Sequence, residues 1–302
     1  DDPGRLVAVR VGNAGGLVIG YGQSENFVAS DLAALLPHTR RVSFLDPEEM
    51  ADVRAGEVIF HGPDGGVIEK VPETQPYDPV AAVKGRYKHF MIKEIHEQPD
   101  GVLDAIRGRY LLDPPRVELE PTPSPSASTG LISDSDTLSD ERIRTIKRVV
   151  LIAMGSSMYA AMVARHYFER LAGLPTDVDN AAEFRYRSPV LDDQTLVVSV
   201  AQSGETVDTL SAMDQARAAG CPQITICNTP GSQATRLADA SVFIRVGPEI
   251  AVASTKTMTG SMITLHALAM RLGRARGALD QETETNQVDA VLRLPSAIGD
   301  AL

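Results

Sequence analysis

The sequence predicts an α/β protein, with a β-rich segment followed by a doubly wound parallel sheet flanked by helices. Three observations carry that expectation. From Arg148 onward, continuous apolar runs of strand length alternate with longer helical patterns, the rhythm of a parallel sheet buried on both faces. Residues 1–70 instead hold short apolar runs separated by turn residues. Between the two regions the composition shifts to Pro, Ser and Thr.

In the first region, residues 6–11, 17–21 and 41–45 read as strands, and residues 30–36 as a short helix ended by Pro37. Residues 57–61 and 67–71 flank Pro63-Asp64-Gly65-Gly66, a hairpin signal. Residues 87–109 carry Phe90, Ile92, Ile95, Val102, Leu103 and Ile106 at helical spacing and read as a helical pair interrupted near Pro99. Residues 114–139 have linker chemistry, with Pro114, Pro115, Pro121, Pro123 and Pro125 among Ser and Thr and little to bury. A helix over 140–147 leads into the second region, where 149–154, 195–200, 224–227 and 242–246 read as buried strands and 175–178 as one more. Helices are expected over 156–172, 205–219 and 254–272. The division that follows is 1–85, 86–147 and 148–302, with no internal repeat.

Composition narrows the function classes. The chain has 302 residues, 43% hydrophobic and 23% charged, enough for cores that need no metal or disulfide. Its net charge of -11 and the lack of a Lys/Arg run argue against nucleic acid or an anionic membrane as partner. Phosphate-bearing small molecules stay open, because amides and hydroxyls bind phosphate without net positive charge. Cys221 and Cys227 make neither a zinc motif nor a disulfide framework, which favours a reducing, cytoplasmic compartment. The six histidines have no metal-like spacing, so no metal or other cofactor is expected. No run of 18 apolar residues is present. The Asp1-Asp2-Pro3-Gly4 start suggests a piece of something longer.

The chemistry is expected at three strand-to-helix junctions: Met154-Gly155-Ser156-Ser157, Gln202-Ser203-Gly204-Glu205-Thr206 and Ala253-Ser254-Thr255-Lys256. In an open parallel sheet, ligands bind where strand C-termini meet helix N-termini, and free amides plus the helix dipole there favour an anion. Ser and Thr are equally ordinary N-caps, so for the first and third junctions capping is as good a reading. The middle one sets four polar residues and a Gly directly after a buried strand and points to ligand binding. None has GxGxxG spacing, so a dinucleotide is not favoured. Lys256 either reaches a phosphate or sits on the surface; Glu183 and Arg185 either pair near the pocket mouth or pack.

These segments resemble the sugar isomerase (SIS) domain family. Phe168-Glu169-Arg170-Leu171-Ala172-Gly173, Ala182-Glu183-Phe184-Arg185-Tyr186-Arg187, the QSGET motif at 202–206, Ile226-Cys227-Asn228-Thr229-Pro230-Gly231-Ser232 and Val252-Ala253-Ser254-Thr255-Lys256 follow in order. The series is similar to the first SIS half of the glutamine–fructose-6-phosphate aminotransferase (isomerizing), or glucosamine-6-phosphate synthase, family. Gly22-Gln23-Ser24-Glu25-Asn26-Phe27-Val28-Ala29-Ser30-Asp31 resembles the late part of a class II glutaminase domain, and Lys88 to Pro99 resembles the segment joining the two domains.

The resemblance implies a sugar-phosphate site made by Ser156, Ser157, Gln202, Ser203, Thr206, Val252 through its carbonyl, and Ser254. It implies a hexose 6-phosphate, fructose 6-phosphate foremost, with glutamine as second substrate of the parent enzyme, and a homodimer. Met154 stands where the family has Cys, a packing change, and Ala201 where many relatives carry a Ser that binds phosphate. One hydrogen bond to a charged group is worth roughly 1.5–3 kcal/mol, so Ala201 predicts weaker binding or a compensating amide. The family's glutaminase needs an N-terminal Cys, and its isomerase chemistry draws acid–base residues from a second SIS half. This chain begins with Asp1, has no Cys before Cys221 and stops at Leu302, so residues 1–302 alone are expected to catalyse neither reaction. The alternatives are a non-catalytic sugar-phosphate-binding SIS module and an SIS-type deglycase or isomerase acting on a related aminosugar phosphate.

Overall fold

The computed structural model describes residues 2–12, 16–77, 83–124, 131 and 138–302. The first region folds as two four-stranded antiparallel sheets. One has β1 (Arg5–Val9), β5 (Met50–Arg54), β6 (Val58–His61) and β7 (Val67–Ile68) in that order; the other has β3 (Asn26–Ala29), β2 (Val18–Tyr21), β4 (Arg41–Phe44) and β8 (Glu73–Thr74). Side chains alternate across β2, as the period of a strand requires. Ile19 packs with Leu45, Ala51 and Phe60 in one core, and Val18 with Val42, Phe44, Leu32 and Leu36 in the other.

The hairpin at residues 63–66 closes between β6 and β7 as expected, and the helix expected over 30–36 is one 3-10 turn, Leu32–Ala34, capped by Asp31. β3 and β5 lie in stretches too polar to stand out in the sequence. The strand expected over 6–11 is β1, at the edge of its sheet; it buries only Ala8 and leaves Leu6, Val7 and Val9 exposed.

The second region is a six-stranded sheet ordered β11 (Thr122–Pro123), β16 (Ala240–Phe243), β15 (Gln223–Cys227), β14 (Thr195–Ala201), β12 (Arg148–Ala153) and β13 (Thr176–Asn180). All but β11 run parallel. Taken in chain order the five parallel strands are arranged 2-1-3-4-5, a doubly wound topology whose switch point lies between β12 and β14. Val149, Leu151 and Ala153 face α4 (Gly155–Ala172) and α8 (Lys256–Arg276), while Val150 and Ile152 face α5 (Ala181–Phe184) and α6 (Val207–Ala218). Both faces are covered, which is why these strands read as unbroken apolar runs.

The stretch with linker chemistry is more structured than its composition suggested. β9 (Tyr110–Leu112) and β10 (Pro115–Val117) form a hairpin, and β11 adds an antiparallel edge to the main sheet. Val117 and Leu119 are buried in the same core as β12 and α8, so the prolines flank apolar anchors. An edge strand tolerates Pro123 because its outward side needs no ladder donor. Residues 125–130 and 132–137 of that stretch lie outside the described residues. The helical pair is present as α1 (Phe90–His96) and α2 (Gln98–Ile106), with Pro99 in the first turn of α2, a position where its missing N–H is not needed. α3 (Asp140–Thr145), capped by Ser139, replaces the helix expected over 140–147. α5, together with α7 (Gln233–Leu237), α9 (Gln281–Leu292) and α10 (Leu294–Ala301), had not been anticipated.

The two regions meet directly. The Tyr77 hydroxyl donates to the Asn228 carbonyl at 2.5 Å, and the Gln233 amide donates to the Leu45 carbonyl at 3.4 Å. Asp46 holds Lys70 of its own region at 2.9 Å and pairs with Arg236 of the other. The Arg236 guanidinium also lies over the Phe44 ring, 5.4 Å from its centroid. Among the described residues no helix is long and apolar enough to cross a membrane.

Candidate functional site

β12 and β14 are adjacent, with Ala153 opposite Val200, so the loops leaving their C-terminal ends lie side by side at the switch point. The first loop is short. Met154 is extended, Gly155 turns with φ 55°, and α4 starts at once. No side chain caps this helix. Ser156 and Ser157 stand in its first turn, half-buried, and their hydroxyls have no partner among the described residues. Met154 packs against the core beside Ile152, which accounts for an apolar residue there.

The second loop is a built turn. The Gln202 carbonyl accepts from the Asn228 amide at 3.2 Å and the Thr229 hydroxyl at 3.2 Å, while the Gln202 side chain donates to the Glu249 carbonyl at 3.3 Å. The Ser203 hydroxyl accepts from the Glu205 amide at 3.3 Å. Gly204 has φ 71°, and a Cβ there would lie 2.1 Å from the Ser232 hydroxyl oxygen and 2.8 Å from the Cys227 sulfur, so only Gly fits. α6 begins at Val207, two residues later than the sequence suggested, because this turn takes Gly204 out of helical geometry. Ser203 and Thr206 therefore share a turn rather than a helical face. Thr206 occupies the N-cap position, exposed, yet its side chain makes no capping bond. A hydroxyl at a helix N-terminus that caps nothing is available to an anion.

Glu205 points away from the opening and into the junction with the first region. It accepts from the Gln233 amide at 3.0 Å and lies 3.5 Å from the buried Arg10 guanidinium. Burial raises its carboxyl above the ordinary range, against the pull of the Gln233 bond and of Arg10 and Arg236. Gly16 abuts it so closely that a Cβ there would sit 2.7 Å from the Glu205 side chain. Behind the loop lies a water-sized gap of about 10 Å³, between Leu36, Tyr77, Gln202, Asn228 and Glu249.

The third junction differs from its sequence reading. The N-terminus of α8 is already filled by the Glu249 carboxylate, which accepts from the Thr255 amide at 2.8 Å, the Thr257 amide at 3.2 Å and the Ser254 hydroxyl at 2.6 Å. Ser254 in turn accepts from the Met258 amide at 3.2 Å, so it does act as a cap. Val252, at the apex of the preceding loop, is fully exposed. Lys256 reaches neither a phosphate site nor the surface: it is buried and donates to Glu97 at 2.8 Å. Arg185 pairs with Asp208 of α6 at 3.0 Å rather than with Glu183. Glu249, Glu94 and Arg10 were missed in the sequence because their partners are set by folding; only the position of Glu249, after Gly247-Pro248 and ahead of a helix start, hinted at a capping role.

Among the described residues no group of His, Cys, Asp and Glu could hold a metal ion. The site offers amides, hydroxyls and two helix N-termini, the donor set of an oxyanion pocket. Residues 142–271 match the family model of the SIS domain. The whole chain is 38% identical over 302 residues to glutamine–fructose-6-phosphate aminotransferase (isomerizing) of Symbiobacterium thermophilum, covering 47% of that protein. It is 39% identical over 301 residues to the protein of that name from Pseudomonas putida, covering 46% of it and 99% of this chain. The chain thus spans about half the length of the curated relatives it matches. Among solved structures, the C-terminal domain of glucosamine-fructose-6-phosphate aminotransferase from Francisella tularensis superposes with a TM-score of 0.60 at 30% identity, over 71% of this chain and 56% of that one. A solved structure from Silicibacter pomeroyi, TM-score 0.50 at 24% identity over 70% of this chain and 56% of that one, shares the fold.

Proposed function

We propose that residues 148–302 supply the sugar-phosphate-binding SIS half of a glutamine-dependent amidotransferase that converts fructose 6-phosphate and glutamine to glucosamine 6-phosphate and glutamate. In this reading residues 1–85 are the end of the class II glutaminase domain and 86–147 join the two, with the parent working as a homodimer. The observation that carries it is the pair of helix N-termini that follow adjacent strands at the switch point, with Thr206 making no capping bond and the Ser156 and Ser157 hydroxyls without a partner among the described residues. An uncapped N-terminus presents free amides, and added hydroxyls supply charge-assisted hydrogen bonds to a phosphate. The similarity along the whole chain to proteins named for fructose 6-phosphate supports that sugar as the ligand.

Gln202, Ser203 and Thr206 are assigned to the phosphate, Ser156 and Ser157 to the sugar or the phosphate, and the Val252 carbonyl and Ser254 to the sugar. Calorimetric titration with fructose 6-phosphate, with glucose 6-phosphate alongside, is the test. Binding that is lost in the Ser203→Ala/Thr206→Ala double variant supports the assignment. Binding unchanged in that variant removes this loop from the phosphate site.

A further inference from the structure

α1 contradicts the usual rule for a surface helix. Its charged Lys93 and Glu94 are buried, at 8% and 1% exposure, while Met91 and Ile92 stand exposed at 44% and 40%. A helix that buries its charges and exposes its apolar residues has been shaped by something other than core packing. Lys93 is held by Glu97 of the next turn at 2.6 Å, and Glu97 also takes Lys256 from the first turn of α8.

Glu94 does something different. One of its oxygens accepts from two successive backbone amides, Ile250 at 2.7 Å and Ala251 at 3.1 Å. Successive amides converging on one oxygen form an anion-binding concavity, here filled by a carboxylate from the chain itself. The next residue in that loop is the exposed Val252, and two further on is Ser254. The other end of the loop is tied by the Glu249 carboxylate to Ser254 and Thr255, and by the Glu249 carbonyl to Gln202.

We infer that Glu94 is a positioning residue for sugar-phosphate binding: from the interdomain helix it clamps residues 250 and 251 and so fixes the loop that presents Val252 and Ser254 to the sugar. The inference rests on the proposed function, since it needs that loop to touch the ligand. It makes α1 part of the binding apparatus. The two carboxylates divide the work, Glu249 fixing the C-terminal side of the loop on α8 and Glu94 its approach. Without Glu94, two adjacent amides at a partly buried site lose their acceptor and turn to water, and the loop leaves its shape.

The test uses the 302-residue chain with Glu94→Ala and Glu94→Gln, read by calorimetric titration with fructose 6-phosphate and by hydrogen exchange at the Ile250 and Ala251 amides. Glu94→Ala is expected to speed exchange at those two amides at least tenfold and weaken binding about tenfold, while Ser203 and Thr206 amides keep their exchange rates. Glu94→Gln retains an acceptor oxygen and is expected to restore most of both, which a loss of fold does not allow. Unchanged exchange in Glu94→Ala overturns the clamp. Fast exchange with unchanged affinity overturns its role in binding and leaves the phosphate assignment standing. A parent chain that shows no binding, with Ser203→Ala/Thr206→Ala equally silent, overturns the underlying assignment and this inference with it.

Discussion

Thr206 separates two roles that the same residue type plays. At the N-cap position it would ordinarily accept a bond from the first turn, and here it does not. Replacing Ser203 and Thr206 together by Ala is therefore expected to remove about 2–4 kcal/mol of phosphate binding, if each hydroxyl partners a charged group. Thermal melts should move little, by about 1 kcal/mol or less, since no cap is lost at Thr206. Gly204 carries the opposite expectation. A side chain there meets both a left-handed φ and the Ser232 hydroxyl, so Gly204→Ala should destabilise the fold by about 2 kcal/mol or more and lower the melting temperature. The two cysteines are inert for a related reason: burial pushes both the Cys221 and Cys227 thiols up to about 11. Neither should react with a thiol reagent at pH 8 until the chain is unfolded, as absorbance after reagent addition with and without denaturant would show.

At the scale of elements, α1 and α8 are joined by charge. Burial of Glu97 disfavours its ionised form, but bonds and charges from Lys256 and Lys93 outweigh that and hold its carboxyl below the ordinary range. A carboxylate whose folded pKa is lowered contributes stability that is fully present above its unfolded value, near 4.5, and is lost as pH falls through the folded value. Glu97→Gln leaves the buried Lys256 ammonium without its anion and should cost about 2–3 kcal/mol at pH 7, less than a fully buried pair because Glu97 is part-exposed. Melts of parent and variant at several pH values check the sign: the gap in melting temperature is largest at neutral pH and closes below pH 4.5. The helix pair itself was legible in the sequence, through its apolar spacing and the break before Pro99. Which side of α1 faces inward was not, because Lys93 and Glu94 are buried only in company with groups from α8 and the loop before it.

Across the whole molecule, the two regions share a polar seam in which Asp46 bridges Lys70 and Arg236 while Gln233 and Tyr77 cross to the facing backbone. Such a seam should make the parent unfold in one calorimetric transition. Asp46→Ala together with Gln233→Ala removes most of it and should split that transition in two; a single unchanged endotherm in the variant would mean the seam does not couple the regions. The seam also sets Glu205 of the 202–206 loop against Arg10 and Gly16, so the loop rests on the first region at its back and opens at the switch point in front.

The residues alone determined the α/β class, the strand positions and the three longest helices of the second region, and the motif at 202–206. Continuous apolar runs can only be buried on both faces, and small hydroxyl residues with Gly after such a run can only form a tight strand-to-helix turn. The edges of the fold were less legible: β11 was hidden among prolines because its pairing with β16 depends on residues far away in the chain, as in the register of Thr122 with Ser241 and Pro123 with Ala240. What the tertiary structure alone decided is which of the three helix N-termini is already filled by a side chain of the protein itself. Glu249 fills the α8 N-terminus and leaves the other two uncapped, and Glu94 is brought to its loop across 156 positions of chain. A hydroxyl that caps and a hydroxyl that waits for a ligand have the same local sequence, because the difference lies in whether a distant carboxylate folds onto the same amides first.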